Sequence, residues 1–212
     1  MLQHALMPTR TSQRLLWCVL SLSLILIAGF AIAKWEREHT RHLEDFGQLP
    51  DFSLVDENGR AASLQNFKGH IWVADLIFTH CSSICPMLTA KMIALQAALA
   101  DKPKIYFASI SVDPLHDTPD TLQAYAIAHH ANTERWTFLT GTTASIYALV
   151  KNGFHLPLDS VGGEERIPII HSPRFALIDG KGHIRGYYNG SEDSSRTQII
   201  ADIDALENEE HS

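Results

Sequence analysis

An uninterrupted apolar run near the N-terminus limits this chain more than any other feature. From Leu15 to Ala33 the sequence reads LLWCVLSLSLILIAGFAIA, 19 residues without a charge. At a helical rise of about 1.5 Å per residue, the run covers close to 30 Å, the thickness of a bilayer's hydrocarbon core. Arg10 and Arg14 precede it, Lys34 and Arg37 follow it, and Trp17 and Trp35 stand where interfacial aromatic residues sit. No polar face breaks the run, which argues against a core helix. A cleaved signal peptide ending at Ala31-Ile32-Ala33 is the rival, but signal cores are usually only about 7–15 residues. The expected organisation is an N-terminal tail (1–14), a transmembrane anchor (15–33), a charged juxtamembrane linker (34–50) and one soluble domain (51–212). Basic residues are nearly balanced across the run and orient it weakly; the short tail, free of acidic residues, is the end more easily kept inside.

The soluble part is long enough for one well-buried core. With 45% hydrophobic and 19% charged residues, the chain is neither disordered nor fibrous. Its formal charge of −7 excludes the basic face that a nucleic-acid binder needs. Phe52–Val55 and Ala61–Phe67 flank Asp56-Glu57-Asn58-Gly59, a hairpin signal. Ile71–Phe78 is a nearly continuous apolar run, as in a strand covered on both faces. Leu88–Leu99 has helical spacing, and Ile105–Val112 reads as the next buried strand. Thr118 and Pro119 open a helix to about His130, as N-cap and first helical residue. A short strand at Trp136–Leu139, a helix from Thr142 to Asn152, a hairpin of Arg174–Ile178 with Ile184–Tyr188, and a helix from Ser194 to about Leu206 complete the soluble part. The order predicts an α/β fold with a mixed sheet flanked by helices, preceded by the single N-terminal transmembrane helix.

The chemistry gathers at Cys81 and Cys85, four apart in FTHCSSICPM, after a buried strand and before a helix. A strand, then cysteines, then a helix makes a thioredoxin-like fold the leading candidate. Sites collect at the C-terminal ends of α/β strands, and a helix N-terminus stabilises thiolates and lowers their pKa. Cβ atoms four apart on a helical turn lie about 5–6 Å from each other, within reach of one metal ion or of disulfide closure. Two thiolates do not close a four-cysteine zinc site. A Cys₂His set is soft enough to favour Cu(I), although zinc or Cu(II) also use it. His171, ending the apolar run Ile167–Ile170 before a strand, is one candidate for the third ligand; His80, beside Cys81, is the local rival. Asp113 could hydrogen-bond the cysteine loop, or could simply end a strand while Asp117 and Thr118 cap the next helix. Cys18, inside the apolar run, reads as a small apolar residue, and Met87 as helix packing.

Several separate stretches resemble the Sco/SenC family in order: Phe78-Thr79-His80-Cys81-Ser82-Ser83-Ile84-Cys85-Pro86, Ser109-Ile110-Ser111-Val112-Asp113-Pro114 with Asp117-Thr118-Pro119, Trp136-Thr137-Phe138-Leu139-Thr140-Gly141, and His171 before Phe175-Ala176-Leu177-Ile178-Asp179-Gly180. The similarity covers about Leu49 to Leu206. The resemblance implies a thioredoxin-like domain on one N-terminal span, in the bacterial periplasm or mitochondrial intermembrane space; for a bacterial protein this means a single pass through the inner membrane with the domain facing the periplasm. It implies copper held by Cys81, Cys85 and His171. It also implies delivery of that copper to the binuclear copper site of cytochrome c oxidase, the partner being the copper-accepting subunit or another copper chaperone. The alternative within the resemblance is a thiol-disulfide oxidoreductase that keeps such cysteines reduced through Cys81 and Cys85. Pro173 departs from the pattern, falling where an apolar strand residue is expected.

Overall fold

A computed structural model of the chain describes residues 10–39, 42–81, 84–156 and 173–210. The chain divides into two compact units, residues 1–42 and 43–212. Among its described residues the first carries helix α1 (Arg10–His39). Among the described residues no helix is long and apolar enough to cross a membrane, so the span expected over Leu15–Ala33 is not shown. The side chain of Cys18 lies outside the described ones.

The second unit is built on a seven-stranded sheet. Its strands are β1 (Leu54–Asp56), β2 (Ala61–Ala62), β3 (Ile71–Ile77), β4 (Ile105–Ser111), β5 (Trp136–Thr140), β6 (Arg174–Ile178) and β7 (Ile184–Asn189), in spatial order β2-β1-β5-β4-β3-β6-β7. Strands β3, β4 and β5 are mutually parallel neighbours, whereas β6 runs antiparallel to β3, and β1 antiparallel to β5. The mixed sheet expected from the element order is therefore present. The parallel strands are joined by α2 (Ile84–Ala98) and α3 (Pro119–Ala128). Both crossovers step across the sheet in the same direction, and right-handed connections then put both helices on one face. That face packs Val73, Ile77, Phe107, Trp136 and Phe138 against Leu88, Met92 and Leu95 of α2, Leu122 and Ala126 of α3, and Ile199 and Ile203 of α5 (Ser194–Glu210). The opposite face packs Trp72, Leu76, Ile110 and Ile178 against Phe67, Phe154 and Ile146 of α4 (Thr143–Ala148).

Strand β3 is buried at every position, the reason its sequence lacks alternation. Thr118 caps α3, its Oγ1 accepting the Thr121 N–H, with Pro119 in the first turn. The hairpin at Asp179-Gly180-Lys181-Gly182 is closed by Asp179 Oδ1, which accepts the N–H groups of Lys181 and His183 at 2.9 Å each, and Gly182 supplies the required φ of +86°. Three expectations shift. The second arm of the N-terminal hairpin gives way after Ala62 to a 3₁₀ turn (Leu64–Phe67), because Ser63 and Asn66 cap it reciprocally. The helix from Thr142 widens into a π turn over Leu149–Gly153. Helix α2 begins at Ile84, four residues before Leu88, and so takes Cys85 into its first turn.

The stretch expected as a solvated linker (34–50) is split between the two units. Its last residues line the domain: Phe46 and Leu49 N–H groups bond the carbonyls of Ile184 and Gly182, and Leu49 is buried. Arg185 fastens the start, donating to the carbonyls of Leu43 and Glu44 and to the carboxylates of Asp179 and Glu209. The charged sequence misleads here because Arg185 holds the backbone of this stretch through the Leu43 and Glu44 carbonyls, while the Asp45 carboxylate pairs with His183. Replacing Arg185 by alanine should cost about 2 kcal/mol of stability and raise amide exchange at Phe46 and Leu49, read by denaturant titration and hydrogen-exchange mass spectrometry; unchanged protection there would show that the arginine does not hold this segment.

Candidate metal and redox site

The parallel strands β3 and β4 end side by side, with the Val112 N–H on the carbonyl of Ile77 at 2.9 Å. From this edge the chain leaves β3 through Phe78, Thr79, His80 and Cys81 into α2, and leaves β4 through Asp113 and Asp117 into α3. The C-terminal ends of the parallel strands therefore carry the chemistry, as expected for an α/β sheet. Cys81 and Cys85 are both thiols outside any disulfide and both buried, at 7% and 3% exposure. The Cys85 N–H points at Cys81 Sγ, 3.4 Å away. One of the unpaired amides of the helix start thus serves the sulfur of the preceding loop. At Cys85, burial first, then the neighbouring Cys81, pushes the thiol up to about 12, the Phe78 backbone offsetting only part. The expectation that the helix N-terminus lowers both thiols is corrected for Cys85, where desolvation outweighs the helix field.

His171 lies outside the described residues, as do positions 82 and 83. Pro173 is described, and its carbonyl accepts the Gly190 N–H at 2.6 Å, so it continues the β6–β7 pairing by one step. Among the described residues no group of three or more His, Cys, Asp or Glu side chains is placed to hold a metal ion. His80 is exposed, and its ring stands edge-on to that of His116. Met87 packs against the core, as read from sequence.

The carboxylate that holds the cysteine loop is Asp117, not Asp113. Asp117 has 0% exposure; its Oδ1 accepts the Thr79 hydroxyl at 2.5 Å, and its Oδ2 accepts the Thr79 N–H at 3.1 Å and the Ser111 hydroxyl at 2.6 Å. Asp113 instead builds the turn, bonding the ring of His116 and receiving the backbone N–H groups of His116 and Asp117 on its carbonyl.

Asp75 was hidden within an otherwise apolar strand. Alternation along β3 places it with Val73 and Ile77 on the face under α2, and it pairs in register with Ser109 of β4. Ser109 donates to Asp75 Oδ1 at 2.6 Å and itself accepts the Trp136 indole N–H at 3.0 Å, while Oδ2 has no partner. With 1% exposure and one hydrogen bond, its carboxyl is pushed up to about 7 by burial. Its charge also acts on Cys85 and on Tyr125, whose hydroxyl meets Thr89 of α2 at 2.8 Å. The signal available in the sequence was a single carboxylate inside IWVADLIF, six residues before Cys81.

Because the folded-state value of Asp75 lies above the ordinary 3.8, the folded chain holds a proton between about pH 4 and pH 7 that the unfolded chain has released. Its stabilising protonated form is complete below that window and is lost as pH rises through 7. Asp75→Asn should remove a pH-dependent loss on the order of 4 kcal/mol between pH 4 and pH 8, measured by urea unfolding of both proteins at the two pH values. Parallel pH profiles for the two proteins would overturn the assignment.

The SCO1/SenC family pattern matches residues 40–208. The chain is similar to the SCO1 protein homolog of Bacillus subtilis (strain 168), with 34% identity over 158 residues, 74% of this chain and 81% of that protein. Its fold is similar to that of BsSco, described as having a disulfide switch and as a member of the Sco family of cytochrome c oxidase assembly proteins; the TM-score is 0.68 and the identity 31%, over 79% of this chain and 96% of that one. The copper-bound structure of Bradyrhizobium japonicum ScoI shares the fold at a TM-score of 0.59 and 23% identity, over 76% and 99% of the two chains. With the strand–cysteine–helix junction intact and the mixed thioredoxin-like sheet beneath it, this chain belongs to the SCO1/SenC family.

Proposed function

We propose that the chain is a membrane-anchored copper chaperone that takes its cargo on Cys81, Cys85 and His171 and passes it to the binuclear copper site of cytochrome c oxidase during assembly. The observation that carries this reading is the pair of reduced, buried thiols brought together at the strand-to-helix junction. Two sulfurs make a soft donor set suited to Cu(I), and a neutral imidazole completes a three-coordinate site. Binding releases the thiol protons, so copper affinity rises with pH. Transfer proceeds by ligand exchange onto the acceptor's cysteines. Relatives of the same family and fold support the cargo and the setting: ScoI carries copper, and BsSco is described among cytochrome c oxidase assembly proteins. The uncharged run Leu15–Ala33 supports a single inner-membrane span, with the domain facing the periplasm.

The neighbouring placement of Cys81 and Cys85, with the Cys85 N–H on Cys81 Sγ, together with the disulfide switch described for BsSco, favours a second role for the same residues. In it, the Cys81 thiolate attacks a disulfide of the partner and one partner thiolate leaves. Cys85 then attacks the mixed disulfide, releasing the second partner thiol and leaving Cys81–Cys85 oxidised. The two roles exclude each other at any moment, because an oxidised pair has no thiolates for copper.

Anaerobic Cu(I) titration of the reduced full chain should show one equivalent retained through desalting. Cys81→Ser, Cys85→Ser and His171→Ala should each abolish that retention. Full retention by His171→Ala removes the imidazole from the donor set, and full retention by either serine variant overturns the chaperone reading. A trapped Cys81 mixed disulfide in Cys85→Ser, with activity that survives chelation, would make the redox role the main one.

A further inference from the structure

Beside the cysteine loop, and outside the donor set proposed above, two imidazoles lie edge-on to each other at the surface. His80 precedes Cys81 and is exposed. His116 stands on the loop between β4 and α3, with its side chain 65% exposed. Their ring centroids are 5.7 Å apart. With metal–nitrogen bonds of about 2.0–2.1 Å, two rings sharing one ion hold their centroids roughly 5–6 Å apart.

The hydrogen bonds around the pair fix which nitrogen of each ring is available. His116 Nδ1 lies 2.9 Å from both carboxylate oxygens of Asp113. An ionised carboxylate only accepts, so Nδ1 carries the hydrogen and the neutral ring keeps its lone pair on Nε2. His80 Nδ1 lies 3.3 Å from Thr79 Oγ1. The single hydroxyl hydrogen of Thr79 is already donated to Asp117, so this contact requires His80 Nδ1 to be the donor. Its lone pair is therefore also on Nε2. Two separate carboxylates, one direct and one through a threonine, set both rings in the same tautomer. A ligating imidazole held by a carboxylate on its other nitrogen is the usual arrangement in metal sites. Neither Nε2 has a hydrogen-bond partner among the described residues.

We propose that His80 and His116 form a second, outer cation site that binds a divalent first-row metal ion through their Nε2 atoms, with water completing its coordination. Imidazole nitrogen favours borderline cations, and Cu(II) is held most strongly among them. The outer site therefore differs in kind from the sulfur pair, which selects Cu(I). Asp113 acts as a positioning residue, holding the His116 ring without touching the ion. The site stands independently of the chaperone reading, since it uses none of Cys81, Cys85 or His171.

The test uses the full chain carrying Cys81→Ser, Cys85→Ser and His171→Ala, so that the inner donors are gone. Cu(II) alone is added, followed by calorimetry and by nitrogen hyperfine coupling in electron paramagnetic resonance. One equivalent should bind with coupling from two imidazoles. Adding His80→Ala or His116→Ala should weaken binding at least tenfold and halve the nitrogen coupling. Asp113→Asn should weaken it by about 10- to 100-fold while two nitrogens remain. Circular dichroism checks that each variant is folded. Unchanged affinity and coupling in the His80→Ala/His116→Ala protein, or no Cu(II) binding in the parent, overturns the outer site. Neither result bears on the inner site, which is read separately with Cu(I) on native cysteines.

Discussion

One buried carboxylate fixes where everything at the site stands. Asp117 accepts the Thr79 N–H, the Thr79 hydroxyl and the Ser111 hydroxyl, and so ties the loop leaving β3 to the loop leaving β4. Leaving a buried carboxylate without such donors costs several kcal/mol, so the two loops cannot separate cheaply. Cys81 is on the first loop, with Cys85 following in the first turn of α2, and the turn built by Asp113 and His116 is on the second. Their spacing is therefore set by a hydrogen-bond network rather than by direct contact. The parallel pairing of β3 with β4 is the precondition, because only parallel neighbours deliver two loops to the same edge of the sheet.

The second buried carboxylate is treated in the opposite way. Asp75 has one donor, Ser109, and an oxygen with no partner, so burial favours its neutral form. Its charge and that of Cys85 penalise each other. A soft cation that takes the proton's place on Cys85 relieves part of that penalty, since it brings positive charge to the sulfur. The polar strip of Asp75, Ser109 and the Trp136 indole N–H beneath α2 thus tunes the cysteine that sits deepest.

Much of this was legible in the sequence, and what was not has identifiable physical causes. Periodicity located the buried strand Ile71–Ile77 and the helix after the cysteines, because both bury large apolar side chains. It placed the start of α2 too late, since Cys85-Pro86 carries no apolar period although Pro suits a first turn. The linker was misjudged at its C-terminal end because charge suggests solvation, whereas Glu44 and its neighbours are held by Arg185, about 140 residues away in the chain. Asp75 was overlooked because one carboxylate hardly changes the hydropathy of a strand. Asp113 and Asp117 could not be told apart by sequence: both follow a strand, and only the register of β3 against β4 decides which one reaches Thr79. The anchor rests on the run Leu15–Ala33 in the sequence alone: α1 is helical there, and among the described residues no helix is long and apolar enough to cross a membrane.

Burial of both sulfurs shapes how a carrier of this kind must work. A thiol pair at 7% and 3% exposure is sheltered from solvent and from indiscriminate oxidation, but an acceptor cannot reach it while the first turn of α2 stays closed. The amide of Cys85 on Cys81 Sγ, at 3.4 Å, is one of the contacts such an opening has to break, and the burial of Cys85 and Leu88 against the core is another. On the reading proposed above, handing over the cargo therefore requires a partner whose docking offsets the cost of uncovering that turn.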